Sequence, residues 1–235
     1  RGFRLQALYT LSRILESGEN WIFQPEGIED LAIRLGNGDL TEIVQVKAHT
    51  APLTASSFNK AFYDRVAEYT RDTPDVPVII ATYGPVGSQF GRAGREGDDE
   101  AVEQLADYVS RIVGDEESAR RIIASLRIDS LCEDEVRQRT IRKLGGLCTA
   151  TAPEDALEFL CWWLYTSAEG RTPLGREAVV QKIAGVGESL AKKAAYAKEW
   201  FRTIRPLVAG GPSSGGPEPL AEEFASGVAA RFEHI

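Results

Sequence analysis

Residues 26–47, EGIEDLAIRLGNGDLTEIVQVK, constrain this chain more than any other stretch. Two apolar runs flank a turn. Ile28 to Leu35 reads as one strand, and Glu42 to Ala48, rich in Val and Ile, reads as the next. Gly36-Asn37-Gly38-Asp39 between them is turn chemistry, because Gly and Asn accept positive φ at little cost. Polar residues break the apolar pattern: Asp30 in the first strand, Gln45 and Lys47 in the second. Strand residues two apart share a face, so Gln45 and Lys47 point the same way, and a hairpin brings Asp30 beside them. Burying such groups on central strands is costly unless they are paired or hold a cation.

That constellation has a chemical use. A carboxylate and an amide oxygen are hard ligands that suit Mg²⁺, which keeps several waters and needs few protein groups. The carbonyl of Val46 offers a further oxygen. Lys47 beside a metal-bound water would stabilise hydroxide and the charge developing on a phosphate. The residues alone also fit a hairpin whose polar side chains face water.

The D…QxK pattern of Asp30 with Gln45-Val46-Lys47 resembles the PD-(D/E)xK nuclease superfamily. Gly2-Phe3-Arg4-Leu5-Gln6 opening a helix, then Glu26-Gly27-Ile28-Glu29-Asp30, then Gln45-Val46-Lys47 is similar in order and spacing to one branch of it. That branch is the double-stranded DNA endonuclease domain of bacterial anti-phage effectors. There the domain is joined to a SAVED cyclic-oligonucleotide sensor (CBASS endonucleases) or to a STAND/NACHT-type NTPase of the AVAST kind. The resemblance covers about the first third of the chain. It implies Asp30 and Gln45 as metal ligands, Lys47 as the catalytic lysine, and Gln6 as support from behind. Glu26 and Glu29 both fall in the family's acidic cluster; Glu26 is taken here as the further ligand and Glu29 as support. The cofactor implied is Mg²⁺, with Mn²⁺ as a substitute. The partners implied are double-stranded DNA, further copies of the chain, and a downstream sensor domain.

The remaining pattern is α/β. Residues 3–16 read as an amphipathic helix, 21–23 as a short strand, 54–70 as a helix and 76–83 as a strand buried on both faces. Helix, three strands, helix, strand is the α-β-β-β-α-β order of a restriction-endonuclease-like core. The stripe Phe58, Phe62, Val66, Tyr69 reads as core. Residues 84–98 are Gly-rich and irregular, without the GK[ST] of a phosphate-binding P-loop. From 99 to 205 the pattern is helical throughout, with helices expected near 99–113, 116–128, 133–144, 153–166, 174–184 and 188–204. The expected domains are therefore a nuclease core at 1–98, a helical subdomain completing it at 99–205, and a linker at 206–235. The linker is Gly/Pro/Ser-rich, and its close, GVAARFEHI, resembles the lead-in to a STAND NTPase.

Net charge is −8, awkward for a DNA-binding protein. The charge is uneven, however, and a metal site carries its own local cations. Lys60, Arg92, Arg95, Arg142 and Lys143 are the candidate backbone contacts. Lys192 and Lys193 add to them, following a GxG break at Gly185-Val186-Gly187 that is similar to a helix-hairpin-helix turn. A solvated helix face is the ordinary reading of such charges. His49, two residues beyond Lys47, reads as a polar strand end, and with two His in the chain a His-based metal site is not expected. The three cysteines lack CxxC spacing and read as reduced thiols, and no run is apolar enough to span a membrane, so a cytoplasmic setting is expected. The absence of any Met, even an initiator, fits either a trimmed fragment or the loss of a modified Met. A rival reading keeps the fold without catalysis, as a nuclease-like module for oligomerisation or DNA tethering; another directs the nuclease to RNA.

Overall fold

In the computed structural model, which describes residues 2–94, 98–148, 152–185 and 187, the alternation of patterns becomes a layered α/β architecture. Helix α1 spans Gly2–Glu16. Strands β1 (Trp21–Pro25), β2 (Leu31–Leu35) and β3 (Leu40–Lys47) follow. A 3-10 turn at Ala55–Ser57 leads to α2 (Lys60–Asp72) and β4 (Val78–Thr82). Then come α3 (Ser88–Ala93), α4 (Asp99–Val113), α5 (Glu116–Ser125), β5 (Leu126–Ser130), α6 (Glu133–Gly145) and α7 (Pro153–Glu169). The chain divides into two units, Arg1–Val186 and Gly187–Ile235, and the description concerns the first.

The strands form one five-stranded sheet in chain order. β1, β2 and β3 pair antiparallel; β3, β4 and β5 pair parallel. Both faces are covered. On one, Leu31, Ile33, Val44 and Ala81 meet Leu8, Leu11 and Ile14 of α1, Leu144 of α6 and Leu160 of α7. On the other, Ile43, Val78 and Ile80 meet Phe62 and Val66 of α2, Leu105 and Val109 of α4 and Ile122 of α5. Helices on both sides explain why β4 reads VIIAT, with no polar face to show solvent. This is a mixed sheet flanked by helices, consistent with a restriction-endonuclease-like core.

Helix ends follow from side chains as much as from periodicity. Asn59, Asp98 and Asp115 each accept a hydrogen bond from a backbone N–H of the first turn they cap, on α2, α4 and α5. Pro153 opens α7, where its missing N–H costs nothing. Gly114 ends α4 at φ 80°, a conformation that glycine adopts without strain. The outer edge of β1 is not bare: Phe23 and Leu174 exchange backbone hydrogen bonds, both 2.7 Å.

Three expectations change. The first hairpin strand begins at Leu31 rather than Ile28, because Glu26 N–H bonds the Asp30 carbonyl at 3.0 Å and closes residues 26–30 into a loop. The Gly-rich stretch 84–98 holds the short helix α3, whose Phe90 is buried in the second core. The segment beyond residue 98 is not helical throughout. Its helix 116–128 stops at Ser125, and Leu126–Ser130 become β5, paired in parallel register with β4 from Val78↔Leu126 to Thr82↔Ser130. α4, α5 and β5 thereby belong to the same core as α2 and β4. Arg95, Lys192, Lys193, the expected helix 188–204 and the linker 206–235 lie outside the described residues.

Candidate functional site

The carboxyl ends of β3 and β4 lie together because the strands are parallel, with Lys47 opposite Thr82. β1 ends and β2 begins at the same edge of the sheet, since Pro25 pairs with Leu31 and Leu31 with Val44. Loop 26–30 therefore sits at the end of β3. In open α/β sheets this edge is where ligands bind.

The loop brings the candidate residues together. The Asp30 carboxylate accepts the Val46 backbone N–H at 2.6 Å and the side-chain amide of Gln45. Behind it, Gln6 of α1 donates to the Asp30 carbonyl at 3.2 Å and to the Glu26 carboxylate at 2.8 Å. Gln45 and Lys47 share the face that carries Ile43, toward α2. There the Lys47 ammonium lies over the Phe58 ring, 5.0 Å from its centroid. Phe58 is itself buried and stacked on Phe62 at 4.5 Å, so Lys47 rests on a fixed surface.

The structure separates the two glutamates that spacing alone left together. Glu29 is turned inward, 4% exposed, with its carboxylate held by Arg65 of α2 through Nε at 2.6 Å and Nη2 at 3.1 Å. It fixes the loop, and both its oxygens already accept from Arg65. Glu26 stays on the Gln6 side of Asp30 at φ 50°, a left-handed conformation uncommon for a non-glycine residue. Arg65→Ala leaves Glu29 buried without its partner. We expect a loss of about 1–3 kcal/mol in urea unfolding, at the lower end of buried-pair losses because Arg65 itself is half in solvent.

Burial, above all, pushes the Asp30 carboxyl up from its ordinary 3.8 to about 6. The Val46 N–H opposes this, the neighbouring Glu26 charge adds to it, and Lys47 opposes it again. Among the described residues neither Asp30 nor Glu26 forms an ion pair. Two neighbouring carboxylates, both partly buried and neither held in an ion pair, make a donor set that suits a divalent cation. The Gln45 amide now turns its nitrogen to Asp30, and a half-turn of that amide presents its oxygen instead. No group of three or more His, Cys, Asp or Glu able to hold a metal occurs among the described residues. A cation here would accordingly rest on Asp30, Glu26, the Gln45 amide oxygen and water, a sparse set that fits Mg²⁺ better than a transition metal.

His49 is held at the end of β4 by Thr82 Oγ1 at 3.2 Å and by the Ala51 carbonyl. Of the basic candidates, Lys60 is paired with Asp64 at 2.8 Å and Arg92 with Asp98 at 2.9 and 3.1 Å. Arg142 and Lys143 are exposed but end α6, whose first turn meets Arg4 of α1 near the site; they lie roughly 14 Å further along its axis. Their neighbours Arg137 and Arg139 are engaged by Glu158 at 2.6 Å and Glu16 at 2.7 Å. Among the described residues these basic side chains are thus mostly engaged by acidic partners or set along α6 away from the site. Arg65 and the seat that Phe58 gives Lys47 were not legible as site features; an arginine on a helix otherwise carrying an apolar stripe was the one available signal.

No known protein family matches this chain, and no curated protein does. Among solved structures, the Moraxella osloensis Cap4 SAVED/CARF-domain containing receptor is similar at 12% identity with a TM-score of 0.45, over 74% of this chain and 44% of that one. The chain spans less than half of that receptor's length, and a likeness of this degree carries no argument about activity.

Proposed function

We propose that this chain is a Mg²⁺-dependent endonuclease domain acting on double-stranded DNA in anti-phage defence. The reading rests on one observation: the Asp30 carboxylate meets Gln45 and the Val46 N–H at the end of β3, with Glu26 behind it and Lys47 next on the same face. The defence setting is drawn from the sequence resemblance alone. Bound Mg²⁺ would supply a water of lowered pKa and a Lewis acid for the phosphate oxygens. Asp30 and Glu26 would hold it, and Gln45 would turn its amide oxygen toward it. Lys47 Nζ donates to a non-bridging phosphate oxygen and stabilises the charge that grows there on attack. The Glu29–Arg65 pair keeps the loop, and so Asp30, in place.

Cutting both strands requires two such sites, so activity follows association of copies, for which a downstream sensor domain in the same polypeptide is the natural agent. With the chain fused to an inducible dimeriser and Mg²⁺ or Mn²⁺ present, we expect supercoiled plasmid to become linear. An unchanged plasmid at every protein concentration would remove the proposal. Should RNA be cut instead in a substrate panel, the fold assignment stands and the substrate changes.

A second reading has its own observation. Arg65 takes Glu29 out of the acidic cluster, which leaves few carboxylates for a metal. In that case the domain is a nuclease-like module serving oligomerisation or DNA tethering. Absence of Mn²⁺ binding in calorimetry, together with no effect of Lys47→Ala on cleavage or toxicity, would select it.

A further inference from the structure

We infer that Phe3, Trp162 and Tyr165 form a stacking shelf for one unpaired base of a nucleic-acid strand that passes the candidate metal site at Asp30. The inference rests on the nuclease reading above and adds a recognition element to it. Among the described residues the exposed large apolar side chains are Phe3 and Trp162, each 63% exposed, and Val180, 39% exposed. A single exposed apolar residue needs no explanation, but two that converge on a third ring do. Phe3 lies 5.4 Å from the Tyr165 ring and Trp162 5.6 Å from it, all tilted, so the three present a continuous aromatic surface on the α1–α7 side of the molecule.

That surface opens into a cavity of about 260 Å³ walled by Phe3, Ala7, Leu164 and Tyr165. It is smaller than the roughly 300–1,000 Å³ pockets that take drug-sized ligands, and has room for a flat ring but not for a peptide helix. Thr10 adds a hydroxyl to its lining, and its other polar groups are those of Gln6 and Glu26. These are the residues that stand behind Asp30: Gln6 reaches Glu26 at 2.8 Å and the Asp30 carbonyl at 3.2 Å. The cavity therefore adjoins the candidate metal site and shares Glu26 with it. A ring stacked on Tyr165 and Phe3 would find the side-chain oxygen of Gln6 to accept from an exocyclic amine, Glu26 being taken by the cation. Aromatic walls with hydrogen-bonding groups beside them are how enzymes hold a base taken out of the duplex. Gln6, Thr10 and Glu26 in the lining argue against a lipid tail as the occupant.

The test uses the full chain in EDTA, where no metal-dependent cleavage occurs, and reads binding to a labelled single-stranded 12-mer and to copies with one abasic position moved along it. Wild-type protein is expected to lose about five- to a hundredfold in affinity at one abasic position. Trp162→Ala or Phe3→Ala should lose a similar factor on the intact strand and be indifferent to the abasic site. Trp162→Phe should restore most of the affinity. No binding of the strand, indifference of the wild type to base removal, or unchanged affinity in both alanine variants would each overturn the inference. So would a shift from dimer to monomer on Trp162→Ala with strand affinity intact, since the shelf would then be a self-contact. Because no cleavage is read, failure of the plasmid experiment and failure of this one are separate results.

Discussion

Replacing Asp30 by Asn is expected to yield a protein that is more stable without metal and that does not cleave. The Asp30 carboxyl titrates near 6 in the fold against an ordinary 3.8, and burial is the main cause. A raised carboxyl means that the fold favours the protonated form. Its contribution to stability is fully present below about pH 4 and is lost as pH rises through 6. At pH 7.5 the ionised carboxylate then costs the metal-free fold up to about 3 kcal/mol. Asn keeps the shape and still accepts from the Val46 N–H, so urea unfolding in EDTA at pH 7.5 should show a gain of about 1–3 kcal/mol, shrinking toward pH 4.5. Added Mg²⁺ should reverse the order, because a cation stabilises only the protein that binds it. A loss of stability in Asp30→Asn at pH 7.5 without metal would contradict the account. The same carboxyl sets a lower pH limit on metal binding: affinity should fall as pH drops below about 6, when a proton competes for the ligand.

Lys47→Ala should lower cleavage by the dimerised protein by about 10²- to 10³-fold, the scale on which removal of one charge-stabilising donor is felt. Metal binding, followed by calorimetry with Mn²⁺, should be retained, since Lys47 is not among the oxygen donors. Lys47→Arg should recover only part of the activity, because a planar guanidinium does not place a compact charge where an ammonium does. Equal loss of cleavage and of metal affinity in Lys47→Ala would show that the residue holds the loop rather than the phosphate.

The hairpin, its turn and the shared face of Gln45 and Lys47 were legible because period-two alternation and Gly-Asn-Gly chemistry are local signals. Gln6 was legible through the resemblance and is found beside Asp30 and Glu26. The path of residues 26–30 was not. An apolar residue at 28 extends the strand pattern on paper, while the Glu26–Asp30 backbone bond folds the segment into a loop and sends Glu26 and Glu29 opposite ways. Nor was β5: Leu126 both caps α5 and opens the strand, with no Gly or Pro to mark the change. Only the free edge of β4 decides that these residues extend. The rotation of α2 that aims Arg65 at Glu29 is a tertiary fact, invisible to periodicity.

The two ends of the sheet bear on how copies of this chain can join. An uncovered strand edge is the cheapest place for one sheet to continue into another. At one end Leu174 already occupies the backbone groups of Phe23. At the other, β5 is five residues long and carries Arg127 and Asp129, whose charges a second strand would have to accommodate. A shared sheet running through two molecules is thereby discouraged at both margins, which leaves helical surfaces for any contact between copies.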